Sequence, residues 1–267
     1  MSELLTQILE KVRVAYVQAM QEGDYQQPYL TAERLCQEQL HIDADALARI
    51  IDEDPTLLAA RAGELVQDPA ESENPSVGAI ICCNIVAAAM DGLLTVAVEH
   101  DWLDVDDEGN VLVDDTELSD GRPASIRVDY SRSAQALENA GQPGASRLSK
   151  LFQAAEAEYT RLLDSEVHDA YQLALRTSSD YAIFAPEDIA PLIAENPLLL
   201  GLRPDGLVDP DLFEGDPPAG IIISSHLTHM LLQQLLEIAS ERGALARDSS
   251  GHLILPADDE ETSPQLH

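Results

Sequence analysis

An acidic run around a glycine is the part of the sequence that comes nearest to a metal site. Residues 105–115 read VDDEGNVLVDD. Oxygen ligands at alternate loop positions, with glycine at position 6, are typical of calcium-binding EF-hand loops. In that register, positions 1, 3, 5, 6, 8 and 12 are Asp104, Asp106, Glu108, Gly109, Val111 and Asp115. Position 5 departs from the usual Asp or Asn, and position 12 from the longer bidentate Glu.

A second segment, 142 residues further on, favours a turn over a cation site. There the same positions hold residues that would bind no cation: Ala246, Asp248, Ser250, Gly251, Leu253 and Ala257. Both segments keep Asp-x-x-Gly between alternating apolar residues, a pattern typical of β-hairpins. We therefore predict two β-hairpins and no metal ligand, with calcium binding at the first segment as the less favoured alternative.

Two histidines and three cysteines are the other side chains with potential chemistry. His226 and His229 share a helix face, but no third ligand accompanies them, so a structural or solvent-facing role is favoured. Cys36, Cys82 and Cys83 form an odd set without CxxC spacing, which argues against a disulfide framework and for a reducing cytoplasm. The motifs GxSxG, GxxxxGK[ST], GxGxxG and HExxH are missing from the sequence. We predict no catalytic, cofactor-binding or metal residue, no cofactor and no enzyme activity.

The predicted secondary-structure elements that carry these residues occur twice along the chain. Residues 52–69 align with 194–211, and residues 78–113 align without a gap with 220–255. Each half has an opening amphipathic helix, shorter helices, a long apolar helix and a predicted hairpin. We therefore predict an internal duplication.

The repeat also predicts helix positions and segment boundaries. The opening helices are predicted at 3–22 and 146–164, and the long helices at 79–100 and 221–242. Asp43 is a predicted N-cap, and Pro186 a predicted first-turn residue. Because residues 118–145 are rich in Gly, Pro, Ser and Ala, we predict a linker there. The predicted segments are a first module at 1–117, this linker, a second module at 146–258 and an acidic disordered tail at 259–267.

The apolar run at 79–98 approaches the length of a membrane-spanning helix. Asp91 lies in its middle, and its counterpart helix carries polar side chains that a lipid-facing span would not tolerate: His226, His229, Gln233, Gln234 and Glu237. We therefore predict a buried core helix. The N-terminal residues lack the pattern of a signal peptide, so a cytoplasmic location without membrane association is expected.

The chain is strongly acidic. Lys and Arg number 15 against 49 Asp and Glu, which gives a formal net charge of −34. Such a charge repels a phosphate backbone and disfavours nucleic-acid binding. It fits either a salt-rich cytoplasm that screens self-repulsion or a surface that attracts a basic partner. The spread of acid along the whole chain favours the first explanation, and the second stays open.

Residues 235–255, LLEIASERGALARDSSGHLIL, resemble the last helix and wing of winged-helix domains. Residues 93–113 fit the same outline, and residues 31–51 resemble a helix-turn-helix. If the modules are winged-helix-like, the acidic surface favours protein–protein contacts over binding in the major groove, and tandem DNA-binding modules are the alternative. Such modules require basic residues near the wing, where the second half has only Arg242 and Arg247.

The sequence thus predicts a mainly α (α+β) fold that is internally duplicated, with two homologous helical modules that each end in a β-hairpin and are similar in outline to winged-helix domains. We expect a non-catalytic acidic adaptor, regulatory or inhibitor protein that binds a basic protein partner. The contact would use its acidic surface or a groove between the modules. The alternatives are a tandem winged-helix-like DNA-binding regulator and an enzyme with an unrecognised site between the modules.

Overall fold

The structure is a computed structural model of the whole chain. The residues that it describes are 1–24, 27–40, 42–62, 74–112, 146–165, 169–182, 184–204, 206–208, 215–248 and 250–254. The predicted linker at 118–145 and the predicted tail at 259–267 lie outside these residues.

The described part of the chain is mostly helical, as the sequence predicts. Its eight α-helices are α1 (Glu3–Ala19), α2 (Pro28–Gln39), α3 (Ala44–Glu53), α4 (Val77–Glu99), α5 (Arg147–Leu163), α6 (Ala170–Tyr181), α7 (Pro186–Glu195) and α8 (Ala219–Glu241). Short 3₁₀ turns at Pro55–Ala59 and Pro197–Gly201 follow α3 and α7.

Local chemistry at the helix starts accounts for several of these boundaries. The Asp43 carboxylate accepts a hydrogen bond from the backbone N–H of Ala46 at 2.7 Å, which confirms the predicted N-cap of α3. Helix α7 begins at Pro186, a residue whose fixed φ suits the first helical position. Ser76 caps α4 in the same way as Asp43 caps α3.

The predicted β-hairpins are wrong. The described residues contain no β-strand, and each predicted hairpin is a tight turn closed by a single isolated bridge. The bridges join Val105 to Val111 and Arg247 to Leu253. The α+β assignment and the winged-helix outline, which both required a two-stranded wing, are therefore corrected to a helical fold with bridged turns.

Between each long helix and its bridge, backbone N–H groups bond to the helix end. The N–H groups of Trp102 and Leu103 donate to the carbonyl of Ala97 in α4, at 2.8 and 3.4 Å. The N–H groups of Ala244 and Leu245 donate likewise to the carbonyl of Ala239 in α8. Leu103 then packs into the helical core. The alternation of apolar residues indicated a strand, but the side chain of Leu103 packs against helices.

Packing divides the chain into two compact units. The first unit comprises Met1–Gly141 and Phe184–Ile223, and the second comprises Gln142–Ile183 and Ser224–His267. The two units are defined by packing alone, so the predicted modules 1–117 and 146–258 stay predictions.

The core of the first unit joins segments that are far apart in sequence. Helices α3 and α7 pack together, and Ile50, Ile51 and Ile193 are fully buried. At the start of α8, a Cβ added to Gly220 would lie 3.3 Å from Leu58, so glycine allows the close approach of these two segments. The burial of these apolar side chains supplies the main driving force for this arrangement.

Hydrogen bonds in this core come in matched pairs. The N–H of Val77 donates to the carbonyl of Leu202 at 2.8 Å, and the N–H of Ala219 donates to the carbonyl of Ala60 at 2.9 Å. Both bonds link the start of a long helix to the residue that follows a 3₁₀ turn, with donors and acceptors 142 positions apart in sequence. This correspondence concerns the geometry of two hydrogen bonds, and it does not show the predicted internal duplication.

The second unit has its own apolar cluster. Phe152, Ala155 and Tyr159 of α5 pack against α6 and the buried residues Leu231 and Leu235 of α8. The Tyr159 hydroxyl donates to the carbonyl of Ala170 at 2.9 Å. In the first unit, the Tyr16 hydroxyl donates to the carbonyl of Pro28 at 3.1 Å.

Candidate functional site

The acidic turn uses its central carboxylate for its own backbone. Asp106 Oδ1 accepts the N–H groups of Glu108 and Asn110 at 2.9 and 2.8 Å, and Oδ2 accepts the side-chain amide of Asn110 at 2.8 Å. These bonds, the Asn110 side-chain amide first, hold the pKa of Asp106 below its usual value. Gly109 has a φ of 88°, which favours glycine in this turn. The carboxylate thus acts as a turn cap.

A metal site would need several ligands that converge. Among the described residues, no group of three or more His, Cys, Asp or Glu side chains is placed to hold a metal ion. Asp115, the twelfth position of the calcium register, lies outside those residues. The absence of a metal ligand stays a prediction.

His226 and His229 both lie on α8, and two of the three cysteines are buried. His229 is exposed, and its Nε2 lies 2.8 Å from the side-chain nitrogen of Gln233 one turn later. Cys36, Cys82 and Cys83 form no disulfide. Burial raises the pKa of the Cys36 thiol to about 11 and that of Cys82 to about 12, so both stay protonated at neutral pH.

A surface groove lies between α1 and α4 in the first unit. Its volume is 380 Å³. Its apolar floor consists of Leu9, Val12, Ala89, Leu93 and Val96. Its rim consists of Met1, Thr6, Glu10, Arg13, Ala88, Gly92, Thr95 and Glu99. We call this feature the α1–α4 groove.

Small side chains on one face of α4 leave the groove open. Ala88, Gly92 and Thr95 are exposed and follow the i, i+4, i+7 spacing of one helix face. A Cβ added to Gly92 would meet nothing within 4 Å, so neighbouring atoms do not require glycine there. The Thr95 hydroxyl donates to the carbonyl of Asp91 at 2.8 Å, which holds it against its own helix.

The rim carries charges of both signs. Arg13 Nη1 lies 3.2 Å from Glu10 Oε2, so these two charges compensate each other within α1. Glu99 is exposed at the end of α4. The N-terminal ammonium of Met1, which also lines the groove, lies 3.2 Å from Asp54 Oδ2.

The corresponding face of α8 in the second unit carries long side chains. The residues 142 positions after Ala88, Gly92 and Thr95 are Met230, Gln234 and Glu237. Gln234 donates to Glu156 of α5, and Glu237 pairs with Arg247. These contacts link the helix face to its surroundings, whereas the stripe on α4 stays uncovered.

The sequence predicts no site residue and does not indicate the groove. The signal that it offers is the change from Met230, Gln234 and Glu237 to Ala88, Gly92 and Thr95 between two helices of equal length.

Helix α4 is also the segment that the sequence predicted to be a core helix and not a membrane span. Among the described residues, it is one helix that is long and apolar enough to cross a membrane, and 56% of its most apolar window is buried inside the structure. Burial of this kind is consistent with the core helix of a soluble protein.

The described residues are mostly helical and form a surface groove between α1 and α4. No protein-family model, no curated protein and no solved structure matches this chain.

Proposed function

We propose that this protein is a non-catalytic acidic adaptor, regulatory or inhibitor protein that binds a basic protein partner through its acidic surface. The observation that carries this proposal is its charge. Carboxylates exceed cations by 34 over the chain. A field of this size raises the local concentration of a cationic partner and speeds its association.

The distribution of the cations strengthens the argument. Five arginines of the described residues pair with carboxylates of the same chain. These pairs are Arg13–Glu10, Arg161–Glu158, Arg176–Asp180, Arg242–Asp164 and Arg247–Glu237. Arg61 and Arg203 donate to backbone carbonyls. These seven arginines are thus engaged by groups of the same chain.

The DNA-binding alternative requires basic residues near the wing, where the second half has only Arg242 and Arg247. Arg242 lies 2.9 Å from Asp164, and Arg247 pairs with Glu237. A phosphate backbone would have to displace both carboxylates before either guanidinium could bind it.

The non-catalytic character rests on the chemistry of the α1–α4 groove. Its lining residues include two carboxylates and one guanidinium, but no imidazole and no thiol. Glu10 is already paired with Arg13, and Glu99 has no neighbouring base among the lining residues. Side chains of this kind suit recognition better than acid–base or nucleophilic chemistry.

A reducing cytoplasm is the proposed location. Cys36, Cys82 and Cys83 form no disulfide, and the first two are buried. Buried cysteines without disulfides are typical of proteins from reducing compartments.

The test is affinity purification of the tagged full chain from its native host at low salt and at about 1 M salt, where the Debye length is about 3 Å. We expect a stoichiometric basic protein at low salt that high salt releases, identified by mass spectrometry. Recovery of the chain alone at both salt concentrations, or a partner that salt does not release, would overturn the proposal.

A further inference from the structure

We propose that the segment after α4 is a salt-gated strap. It covers one end of the core of the first unit when salt screens its charge, and it opens at low ionic strength. We call residues 100–112 the acidic strap, and we call its counterpart after α8, residues 242–254, the clamped strap. The inference concerns a conformational change, so it goes beyond the proposed function and does not depend on it.

Apolar side chains fasten the acidic strap to the first unit. Leu103 belongs to the buried core cluster, and Trp102 packs against that cluster. The Trp102 ring contacts the fully buried Tyr16 ring edge to face, with the ring centroids 6.1 Å apart. The exposed His100 ring stacks on Trp102, with the ring centroids 4.6 Å apart. Opening of the strap would therefore expose the Tyr16 end of this core.

The charge of the acidic strap opposes its docking. The strap has no Lys or Arg, and its five carboxylates are Asp101, Asp104, Asp106, Asp107 and Glu108. No described residue forms an ion pair with any of them. Their Cα atoms lie within about 25 Å of one another even in a fully extended chain. This distance is below the Debye length of about 30 Å at 0.01 M salt. Docking also brings these carboxylates against a chain whose formal net charge is −34, so repulsion disfavours the closed strap at low salt.

The backbone at the start of the acidic strap is strained. Among the described residues, Asp101 is the one non-glycine residue with a positive φ, at 57°. In this conformation the Cβ atom lies too close to the following carbonyl oxygen. The residue 142 positions later is Gly243, which has a φ of 73° and no Cβ. The closed acidic strap thus has a backbone cost that the clamped strap avoids.

Two arginines hold the clamped strap to the helices of the second unit. Arg247 donates to the Ser240 hydroxyl at 2.8 Å and pairs with Glu237 of α8. Arg242 lies 2.9 Å from Asp164, the residue that follows α5. Salt weakens exposed ion pairs of this kind. Salt should therefore tighten the acidic strap, whereas it should loosen the clamped strap slightly or leave it unchanged.

Amide hydrogen exchange on the full chain measures the opening of each strap. The N–H groups of Trp102 and Leu103 donate to the end of α4, and those of Ala244 and Leu245 donate to the end of α8. Between 0.01 and 1 M NaCl, we expect exchange at Trp102 and Leu103 to slow by about tenfold or more. Exchange at Ala244 and Leu245 should change by less than about twofold. Nearby carboxylates repel hydroxide and slow exchange at low salt, so this effect would act against the expected result.

Matched double variants separate the charge of the strap from the net charge of the chain. Asp104→Asn with Asp107→Asn removes two exposed carboxylates from the acidic strap, and Asp52→Asn with Glu241→Gln removes two exposed carboxylates elsewhere. The first pair should reduce the salt effect on Trp102 exchange by about threefold, and the second should leave it unchanged. Quenching by uncharged acrylamide gives a second readout, because Trp102 is the only tryptophan of the chain. Salt should reduce this quenching in the wild type and less so in the first pair.

A single position tests the strained backbone. Asp101→Gly and Asp101→Asn remove the same charge, but only glycine has no Cβ to strain. At 0.01 M NaCl, Asp101→Gly should therefore slow exchange at Trp102 more than Asp101→Asn does.

Three outcomes would overturn the inference. The first is exchange at Trp102 and Leu103 that does not respond to salt. The second is an equal slowing at Ala244 and Leu245, because salt would then stabilise the whole chain and not the strap. The third is an equal salt response in the two double variants, because the charge of the strap would then have no special role. None of these outcomes bears on the proposed basic partner, which the salt-dependent purification tests.

Discussion

The exposed faces of α4 and α8 differ although the two helices are closely matched. Each helix has 23 residues, and each ends in a turn closed by one isolated bridge. On α8, Gln234 and Glu237 reach side chains of the second unit. On α4, Gly92 and its neighbours leave a groove of 380 Å³. The two helix stripes therefore differ in side-chain length and in the side-chain contacts that they make.

The turns after these helices show a second difference. Residues 101–108 contain Asp101, Asp104, Asp106, Asp107 and Glu108 without a cation, whereas residues 243–250 contain Arg247 and Asp248. In both turns an aspartate accepts backbone N–H groups two and four residues later. The two turns thus share one hydrogen-bond pattern but differ strongly in charge. The acid-rich turn lies at the Glu99 end of α4.

The largest expected effect comes from truncating the core beneath each face. Leu235 is fully buried, whereas Leu93 forms part of the groove floor. We expect Leu235→Ala to lower the free energy of unfolding by about 4 kcal/mol. Leu93→Ala should lower it by about 2.5 kcal/mol, because water can enter the cavity left at Leu93 through the groove. Urea unfolding followed by far-ultraviolet circular dichroism measures both. Val14→Ala is the surface control, with a loss of at most about 0.5 kcal/mol. Equal losses for the two leucines would contradict an open groove.

A smaller effect is expected from removal of the two buried tyrosine hydroxyls. Tyr16→Phe and Tyr159→Phe each delete one hydrogen bond to a backbone carbonyl, so each should cost about 1.5 kcal/mol. Similar losses in the free energy of unfolding would show that the two hydrogen bonds match in energy as well as in geometry. Trp102, the only tryptophan of the chain, contacts Tyr16 edge to face and reports the first unit by fluorescence. A loss of stability in only one of the two tyrosine variants would contradict this match between the two regions.

The helix stripe itself should respond in opposite directions at its two corresponding positions. Gly92→Ala should stabilise the protein by about 0.8 kcal/mol through helix propensity. Gln234→Gly should destabilise it by about 1 kcal/mol, since the variant loses propensity and the contact with Glu156. Thermal unfolding of both variants at equal salt provides the measurement. A loss of stability in Gly92→Ala would show that the groove has no room for a methyl group.

The smallest expected effect is the acid response of the two turns. Hydrogen bonds from the Asn110 side chain to Asp106, and from the backbone N–H of His252 to Asp248, lower the pKa of each carboxyl. Such a group stabilises the folded state above its unfolded pKa, and this contribution is lost as pH falls through the folded-state pKa. The amide signals of Asn110 and His252 should therefore shift together on acid titration by NMR. Asp106→Asn should abolish the response of Asn110 alone, and a retained response would reject the capping role.

Secondary structure followed from local signals in this chain. The long helices were predicted at 79–100 and 221–242 and are observed at Val77–Glu99 and Ala219–Glu241. The caps at Asp43 and Pro186 were also predicted, because a cap depends on a few adjacent residues. The turns were predicted as turns, but their flanks were assigned to strands, because alternation alone does not reveal that Leu103 packs against helices.

The site depended on longer-range information. Ala88, Gly92 and Thr95 form a pattern that suits close helix packing as well as an open surface, and the sequence does not say which neighbour faces it. Periodicity and caps specify a helix because its hydrogen bonds join residues four positions apart. An open groove instead requires that no distant side chain reaches the stripe, a condition set by the packing of α1 against α4. Local chemistry therefore specified the helices, and the packing of segments distant in sequence created the space between them.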